Sequence, residues 1–370
     1  MVATGIAICF VAWYALLIFL YRGWEKCREG KVSCEAYTGR ISVVVAMRDE
    51  EQNIPFLIVD LLNQTHEPSE IILVDDHSSD NTCARVRDLC RHHRHIKLIQ
   101  LNAGQQGKKA AMETGIARAE GDVILTTDAD CRMGKEWIRY MTSPFQSDAV
   151  HLVCGPVLVK GFSFCHELVK AEQIILQALA GATVQGGYPL FCSGANLAFR
   201  KSSFHQAGGY AENRHLPSGD DVFLLRNIHR LFSNGIRFLA LPQVMVTTRA
   251  PDSWQSFIQQ RVRWAGKWRN LGMNVRLTAA FVFFFHLLIL LLPLFAMNWL
   301  ITLPFLLALL ALKFVLEALL VYRIARDLQI AYPTSYVLLL QIVYPLYVVV
   351  MGLLAFRKKT RWKGRIINTR

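Results

Sequence analysis

The sequence predicts an α/β domain with a mostly parallel sheet, set between an N-terminal transmembrane anchor and C-terminal transmembrane helices. Three observations predict it. Residues 40–248 alternate short apolar runs with helically spaced apolar residues, the pattern of a parallel sheet with helices on both faces. Val2 to Tyr21 is an uncharged apolar run, and about 20 such residues span a bilayer. Leu277 to Leu312 holds no Lys, Arg, Asp or Glu, and a further apolar run covers Ser335 to Phe356.

In the N-terminal run the basic residues Arg22, Lys26, Arg28 and Lys31 follow the apolar stretch rather than precede it. A cleaved signal peptide has the reverse order, so residues 1–21 are read as a signal anchor with the N-terminus outside and the next domain cytosolic. Residues 22–39 read as a linker. Ile41–Ala46 then reads as a buried strand, and Ile54, Leu57, Ile58, Leu61 and Leu62 have helical spacing. Glu70–Val74 is a second strand running into Asp75 and Asp76, and Asn81–Cys90 a short helix. Ile96–Leu101 is a third strand, Lys108–Ala119 a helix, and Asp122–Thr126 a fourth strand running into Asp128-Ala-Asp130. Ligands of such sheets bind beyond the carboxyl ends of the strands, where Asp75, Asp76, Asp128 and Asp130 fall.

The stretch from Leu277 to Tyr322 is too long for one span and suits two, turning near Asn298–Pro304. Lys313 and Glu317 lie four apart on one helix face and read as a paired structural contact. Ser335–Phe356, interrupted by Tyr344-Pro345, is a third run. Three C-terminal spans after a cytosolic domain put the basic tail of residues 357–370 outside, against the preference of basic segments for the cytosol. Either the Pro345 segment is re-entrant, or the two preceding spans are miscounted, or the rule fails in this chain.

The 370 residues carry 41 Lys and Arg against 28 Asp and Glu, a formal net charge of +13. With 53% hydrophobic residues the chain is too apolar for a disordered chain or a basic soluble nucleic-acid binder. Residues 22–248 are balanced, with 25 basic and 25 acidic side chains. Residues 249–276 carry six basic residues and one acid, and the last 14 residues carry seven basic residues and no acid. Excess charge flanking apolar segments points to a lipid bilayer surface, with no nucleic acid as partner. The nine cysteines form no CxxC and read as core residues of a reducing compartment. Without GxGxxG or GxxxxGK[ST], the sequence gives no support to a dinucleotide dehydrogenase or a P-loop NTPase. In the RHHRH run at 91–95 no nearby Cys or carboxylate completes a ligand set, and it reads as a solvated helix-to-strand loop.

Asp128-Ala-Asp130 offers two hard oxygen ligands, the chemistry that holds a divalent cation against a diphosphate. Such a pair is weak alone and gains weight from its order among other motifs. These are ISVVVAMRDEEQNI from 41, EIILVDDHSSDNT from 70, GKKAA at 107–111, SGANLAFR at 193–200, SGDD at 218–221 and QRVRW at 260–264. Over roughly residues 40–272 the chain resembles the inverting family 2 glycosyltransferases with a GT-A fold. Its flanking helices resemble membrane-integrated members, including ceramide glucosyltransferase-like enzymes and short processive β-glycan synthases.

The resemblance implies the following roles. Arg48, Asp49 and Glu50 match the family's Arg-Asn-Glu, with Glu50 near the nucleoside, and Ala46 stands where many members have Pro. Asp75 and Asp76 match the pair whose carboxylate accepts from the uracil imide, which favours a UDP-sugar. Lys108 would lie near the donor. Asp128 and Asp130 match the metal motif for Mn2+ or Mg2+, Asp130 being the stronger candidate for direct ligation. Asp221 occupies the base position, needed because a sugar or lipid hydroxyl is a poor nucleophile until a carboxylate takes its proton. Asp220 stands where the family has Glu and would support the loop on the acceptor side. Arg261 or Arg263 would stabilise the leaving diphosphate. Gln260 and Trp264 would bind the acceptor, with Gly194 and Asn196 in the loop that closes its pocket. Trp254, Phe257, Trp264 and Trp268 among basic residues also suit an interfacial amphipathic segment at 249–276.

The expectation is thus a membrane-bound, metal-dependent, inverting glycosyltransferase acting from a nucleotide sugar on a membrane lipid or lipid-linked acceptor. The alternatives are a processive β-glycan synthase and a non-catalytic nucleotide-sugar-binding membrane subunit. The last should have lost a motif carboxylate, and none is missing.

Overall fold

The computed structural model describes residues 1–29, 35–161, 164–211, 219–250, 253–266, 272–298, 301–355, 359–362 and 365–368. The chain divides into a sheet unit, Trp24–Gly161 with Leu179–Ala250, and a helical unit, Met1–Gly23, Phe162–Ala178 and Pro251–Arg370. Helix α1 (Val2–Glu29) runs eight residues past the expected end at Tyr21, into the supposed linker. Its extension carries Trp24, which is fully buried, with its ring 6.0 Å from that of Phe238.

The sheet unit follows the predicted alternation. Strand β1 (Ile41–Met47) leads to α2 (Ile54–Leu62), started by a proline in its first turn and burying Ile54, Leu57, Ile58 and Leu61. Full burial of each such side chain stabilises by about 1.5–3 kcal/mol. Then come β2 (Glu70–Asp75), α3 (Thr82–His92), β3 (Ile96–Gln100), α4 (Lys108–Arg118), β4 (Val123–Asp128), β5 (Cys131–Met133) and α5 (Trp137–Thr142). Next are β6 (Leu152–Cys154), β7 (Val157–Lys160), α6 (Phe164–Gln185), β8 (Leu197–Arg200), α7 (Lys201–Gln206), α8 (Asp220–Leu231), β9 (Ile236–Phe238) and β10 (Val246–Arg249). The main sheet has the order β3-β2-β1-β4-β8-β6-β9. The first four strands are parallel, whereas β8 is antiparallel to both β4 and β6. A second sheet has the order β5-β10-β7. Arg249, expected to open the interfacial segment, instead ends β10, opposite Lys160.

Register aligns the strand ends. Ala46 lies opposite Val74 on one side and Asp128 on the other, and Met47 opposite Asp75. The carboxylates ending β2 and β4 therefore sit on adjacent steps of one sheet edge. At the opposite edge Glu70 is buried, accepting bonds from the Ser42 hydroxyl and the Glu120 N–H at 2.5 and 2.6 Å and pairing with Lys97 at 2.7 Å. Burial raises its carboxyl, but the Glu120 N–H, Lys97 and Ser42 outweigh that and hold it below the usual glutamate range. Its contribution to stability is complete above the unfolded value of about 4.3 and lost as pH falls through the lower folded value. Glu70→Gln should cost about 1–3 kcal/mol at neutral pH and flatten the acid limb of the stability curve, read by thermal unfolding across pH.

The helical unit contains α9 (Trp254–Gly266), α10 (Met273–Met297), α11 (Leu303–Asp327), α12 (Thr334–Leu354) and an antiparallel pair, β11 (Lys359–Trp362) with β12 (Arg365–Asn368). Among the described residues four helices are long and apolar enough to cross a membrane: α1, α10, α11 and Ser335–Leu354 of α12. The apolar stretch before Tyr322 forms two separate helices, α10 and α11, each long enough to cross, in keeping with a membrane protein. Lys313 and Glu317 pair at 2.8 Å, as expected, and Gln341 and Trp13 complete their hydrogen bonding. The tail expected as a basic extension carries the β11–β12 pair.

Candidate active site

Two loops at the carboxyl ends of β1 and β2 brace one another. Asp49, at φ 50°, accepts from the Ser79 N–H and hydroxyl at 2.7 and 3.1 Å, and its own N–H donates to Ser78 Oγ at 3.0 Å. The Glu50 N–H donates to Thr82 Oγ1 at 2.7 Å, and Glu50 Oε2 accepts from Asn53. Burial raises the Asp49 carboxyl, but the Ser79 bonds and Arg48 overcome it and set it below the usual range. Asp75 and Asp76 are each 2% exposed. Asp75 accepts from the Ser78 N–H, and Asp76 lies 4.0 Å from Arg48. Burial lifts the Asp76 carboxyl above its ordinary range, and Asp75 adds to this, against the Gly107 N–H, Arg48 and His77.

The second cluster gathers residues from four segments. Lys108, in the first turn of α4, bonds Asp128 Oδ1 at 2.5 Å and stands 3.8 Å from Asp220. Asp220 and Asp221 form the first turn of α8, where the helix dipole favours negative charge. Gly219 caps that helix at φ 92°, a left-handed conformation glycine adopts without a Cβ clash. Asp221 Oδ2 accepts from the Gly194 N–H at 3.2 Å, and Thr126 donates to the Gly194 carbonyl at 2.8 Å. A Cβ on Gly194 would lie 3.4 Å from Asp220 and 3.7 Å from Lys108, in ordinary van der Waals contact, so this loop passes directly against the cluster. Burial disfavours charge on Lys108, yet Asp128, Asp220 and Asp221 outweigh it and hold its ammonium above the usual lysine range. Asp130, two residues on, accepts from the Thr248 hydroxyl at 3.1 Å.

Asp128 and Asp130 fit a hard divalent cation. They supply carboxylate oxygens at one strand end, and the Lys108 ammonium already stands against Asp128 as a positive charge. Among the described residues no group of three or more His, Cys, Asp and Glu forms a closed ligand set. An ion held by one or two carboxylates that completes its shell with phosphate and water needs none.

Asn196 departs from the expectation of acceptor contact. It is 0% exposed, accepts from Trp137 Nε1 at 2.9 Å and donates to the Pro156 and Val244 carbonyls at 2.9 and 2.7 Å. An amide so enclosed ties segments together and has no face left for a substrate. Gln260, Arg261 and Trp264 lie on α9 in the helical unit. Arg261 is 5% exposed and pairs with Glu172 of α6 at 2.7 Å. Its guanidinium lies 4.6 Å from the Trp264 ring centre and 5.0 Å from that of Phe257. It is therefore committed to an internal ion pair rather than presented to a diphosphate. Arg263 is on the same helix with its side chain outside the described residues, and Trp268 lies wholly outside them. Sequence reasoning missed Trp137, Thr126, Thr248 and Glu172, none of which stands in a recognisable motif.

Residues 42–208 match the family described as Glycosyl transferase family 2. This region is a family 2 glycosyltransferase domain. The chain is 27% identical over 239 residues to the probable glycosyltransferase YdaM of Bacillus subtilis (strain 168), covering 61% of this chain and 54% of that protein. It is 26% identical over 236 residues to the poly-beta-1,6-N-acetyl-D-glucosamine synthase of Staphylococcus epidermidis (strain ATCC 35984 / DSM 28319 / BCRC 17069 / CCUG 31568 / BM 3577 / RP62A), covering 61% and 53%. The chain spans about half the length of these curated relatives. In fold it is similar to the mannosyltransferase PcManGT from Pyrobaculum calidifontis in complex with GDP-Man and Mn2+. The TM-score is 0.61 at 18% identity, covering 96% of this chain and 100% of that one. The domain is thus GT-A-like in fold, a mixed α/β sheet with apolar helices before and after it in sequence.

Proposed function

We propose that the chain transfers a sugar from a nucleotide sugar, UDP-linked by preference, to a hydroxyl or phosphate oxygen of a membrane lipid or lipid-linked acceptor, with inversion. The observation that carries this reading is the convergence of Asp128, Lys108, Asp220 and Asp221 at the carboxyl end of β4 and the first turn of α8. For a hydroxyl acceptor, Asp221 takes the proton as the oxygen attacks the anomeric carbon. The bond from that carbon to the diphosphate oxygen breaks, and its electron pair leaves on the diphosphate. Lys108, released from Asp128, neutralises part of that charge. Asp128 and Asp130 would hold a divalent cation, which when bound supplies further charge neutralisation to the diphosphate. Asp75 and Asp76 face the nucleobase and Arg48 and Glu50 its surroundings, beside Ala46. Asp220 positions Lys108. Gln260, Arg263 and Trp264 are assigned to acceptor and diphosphate on their motif. The domain faces the cytosol.

The second reading, processive β-glycan synthesis, is favoured by the similarity to the poly-beta-1,6-N-acetyl-D-glucosamine synthase. Purified protein incubated with UDP- and GDP-sugars, membrane lipids and Mn2+ or Mg2+ should release UDP and give a single-sugar lipid product by mass, and a chelator should abolish both. A ladder of polymer lengths would replace the first reading with the second. Turnover of GDP-sugars alone would remove the uracil assignment of Asp75 and Asp76.

A further inference from the structure

We infer that α12 does not cross the bilayer: it lies obliquely along the face on which α9 lies, with both its ends on that face and its outer stripe covered by acyl chains. The direction of the other helices sets the frame. Helices α10 (ending at Met297) and α11 (starting at Leu303) are joined by a short connection and so run antiparallel, and α1 packs on α10 with Trp13 stacked on Phe285 at 4.3 Å. Helix α1 runs parallel to α11, since Tyr14 bonds the Leu309 carbonyl at 2.7 Å and Tyr21 lies 6.0 Å from the Arg323 guanidinium. The start of α10, which follows α9, and the ends of α1 and α11 therefore share one face. Each of these three helices is long enough to cross.

Helix α12 breaks the alternation. It starts just after α11, on the face of α9, where Lys170 of α6 donates to the Ala331 carbonyl at 3.0 Å and lies 5.9 Å from the Tyr332 ring centre. A fourth crossing would carry its end to the opposite face, alongside the end of α10. The contacts run the other way. Tyr344 meets His286 of α10 at 5.4 Å, and eight residues later Gly352 is against Phe283, nearer the start of α10. Tyr347 donates to Glu172 of α6 at 3.1 Å and its ring lies 6.1 Å from Phe257 of α9. Strand β11, which follows α12, packs against α9 itself. The middle of α12 faces the other helices, where Gln341 bonds Lys313 and Glu317 at 2.7 Å each, halfway along α11.

Pro345 lies inside the helix and cannot donate to the Gln341 carbonyl, so the chain can bend there. The exposed side chains Leu338, Ile342, Leu346, Val350 and Leu353 recur every three to four residues and make one apolar stripe. With three crossings, the basic residues after α1, those of 249–276 and those of the tail all fall on one face, which the positive-inside rule makes cytosolic. The charge conflict created by a fourth crossing disappears.

The test is labelling of variants each carrying one added cysteine, in sealed membrane vesicles with a membrane-impermeant maleimide, with the unsubstituted protein and its nine native cysteines as the background to subtract. Gln105→Cys marks the face of the sheet unit, Asn298→Cys the turn between α10 and α11, and Asn368→Cys the segment after α12. Asn368→Cys should label from the same face as Gln105→Cys, and Asn298→Cys from the other. Labelling of Asn368→Cys together with Asn298→Cys overturns the inference. An epitope appended to the chain end, read by antibody before and after permeabilisation, gives the same discrimination without substituting any residue.

Discussion

Asp221→Asn should lower sugar transfer by about 10²–10⁴-fold, the usual contribution of a positioned general base. Asparagine is nearly isosteric, and its amide oxygen can keep the bond from the Gly194 N–H, which Oδ2 accepts at 3.2 Å, while the Val222 N–H in the first turn of α8, bonded to Oδ1 at 2.8 Å, loses its acceptor. The loop around Gly194 should therefore keep its place, while the group that takes the acceptor proton is gone. The loss should fall on kcat, with donor binding, measured by titration of UDP, changed by less than about threefold. The comparison with Asp220→Asn separates the two adjacent carboxylates. Asp220 faces Lys108 at 3.8 Å, so its removal should weaken the hold on Lys108 and act through donor binding. If Asp221→Asn transfers sugar within tenfold of the unsubstituted protein, Asp221 is not the base.

The carboxylates at the sheet edge were legible because they follow from local pattern. A buried apolar run such as Glu70–Val74 fixes a strand, and the residue that ends the run is necessarily at the strand's tip, as Asp75 is. Asp128 followed by the same reasoning from β4. Local pattern also places a helix, but not its partners. Arg261 looked like a free cation within a basic segment. Its partner Glu172 is some 90 residues earlier, and only tertiary packing brings α6 and α9 together. The extent of α1 past Tyr21 was hidden for a related reason. Charged residues end an apolar run without ending a helix, and Glu25, Lys26 and Arg28 are good helix formers. Apolarity likewise marked α12 as a span, because hydropathy counts residues and does not record which way they travel.

Asn196→Ala should destabilise the sheet unit by about 3–5 kcal/mol, since truncation strands buried polar groups that each cost about 1–3 kcal/mol when unsatisfied. The three groups are Trp137 Nε1–H, the Pro156 carbonyl and the Val244 carbonyl, which come from α5, the β6–β7 turn and the segment before β10. Gly155 packs against the same amide, with its Cβ position 2.6 Å from Asn196 Nδ2, so no side chain from that turn can fill the gap. Water could satisfy one of the stranded groups, and the costs are not strictly additive, which keeps the total below the sum of three full penalties. Such a loss lowers the melting temperature of a domain this size by roughly 6–20 °C. The measurement is thermal unfolding of the detergent-solubilised protein, with sugar transfer assayed well below the transition. An acceptor-binding Asn196 makes the opposite forecast: an unchanged melting temperature and a raised KM for the acceptor. The burial and the three satisfied bonds of this amide decide for the first, and an unshifted melting temperature would return Asn196 to the acceptor pocket.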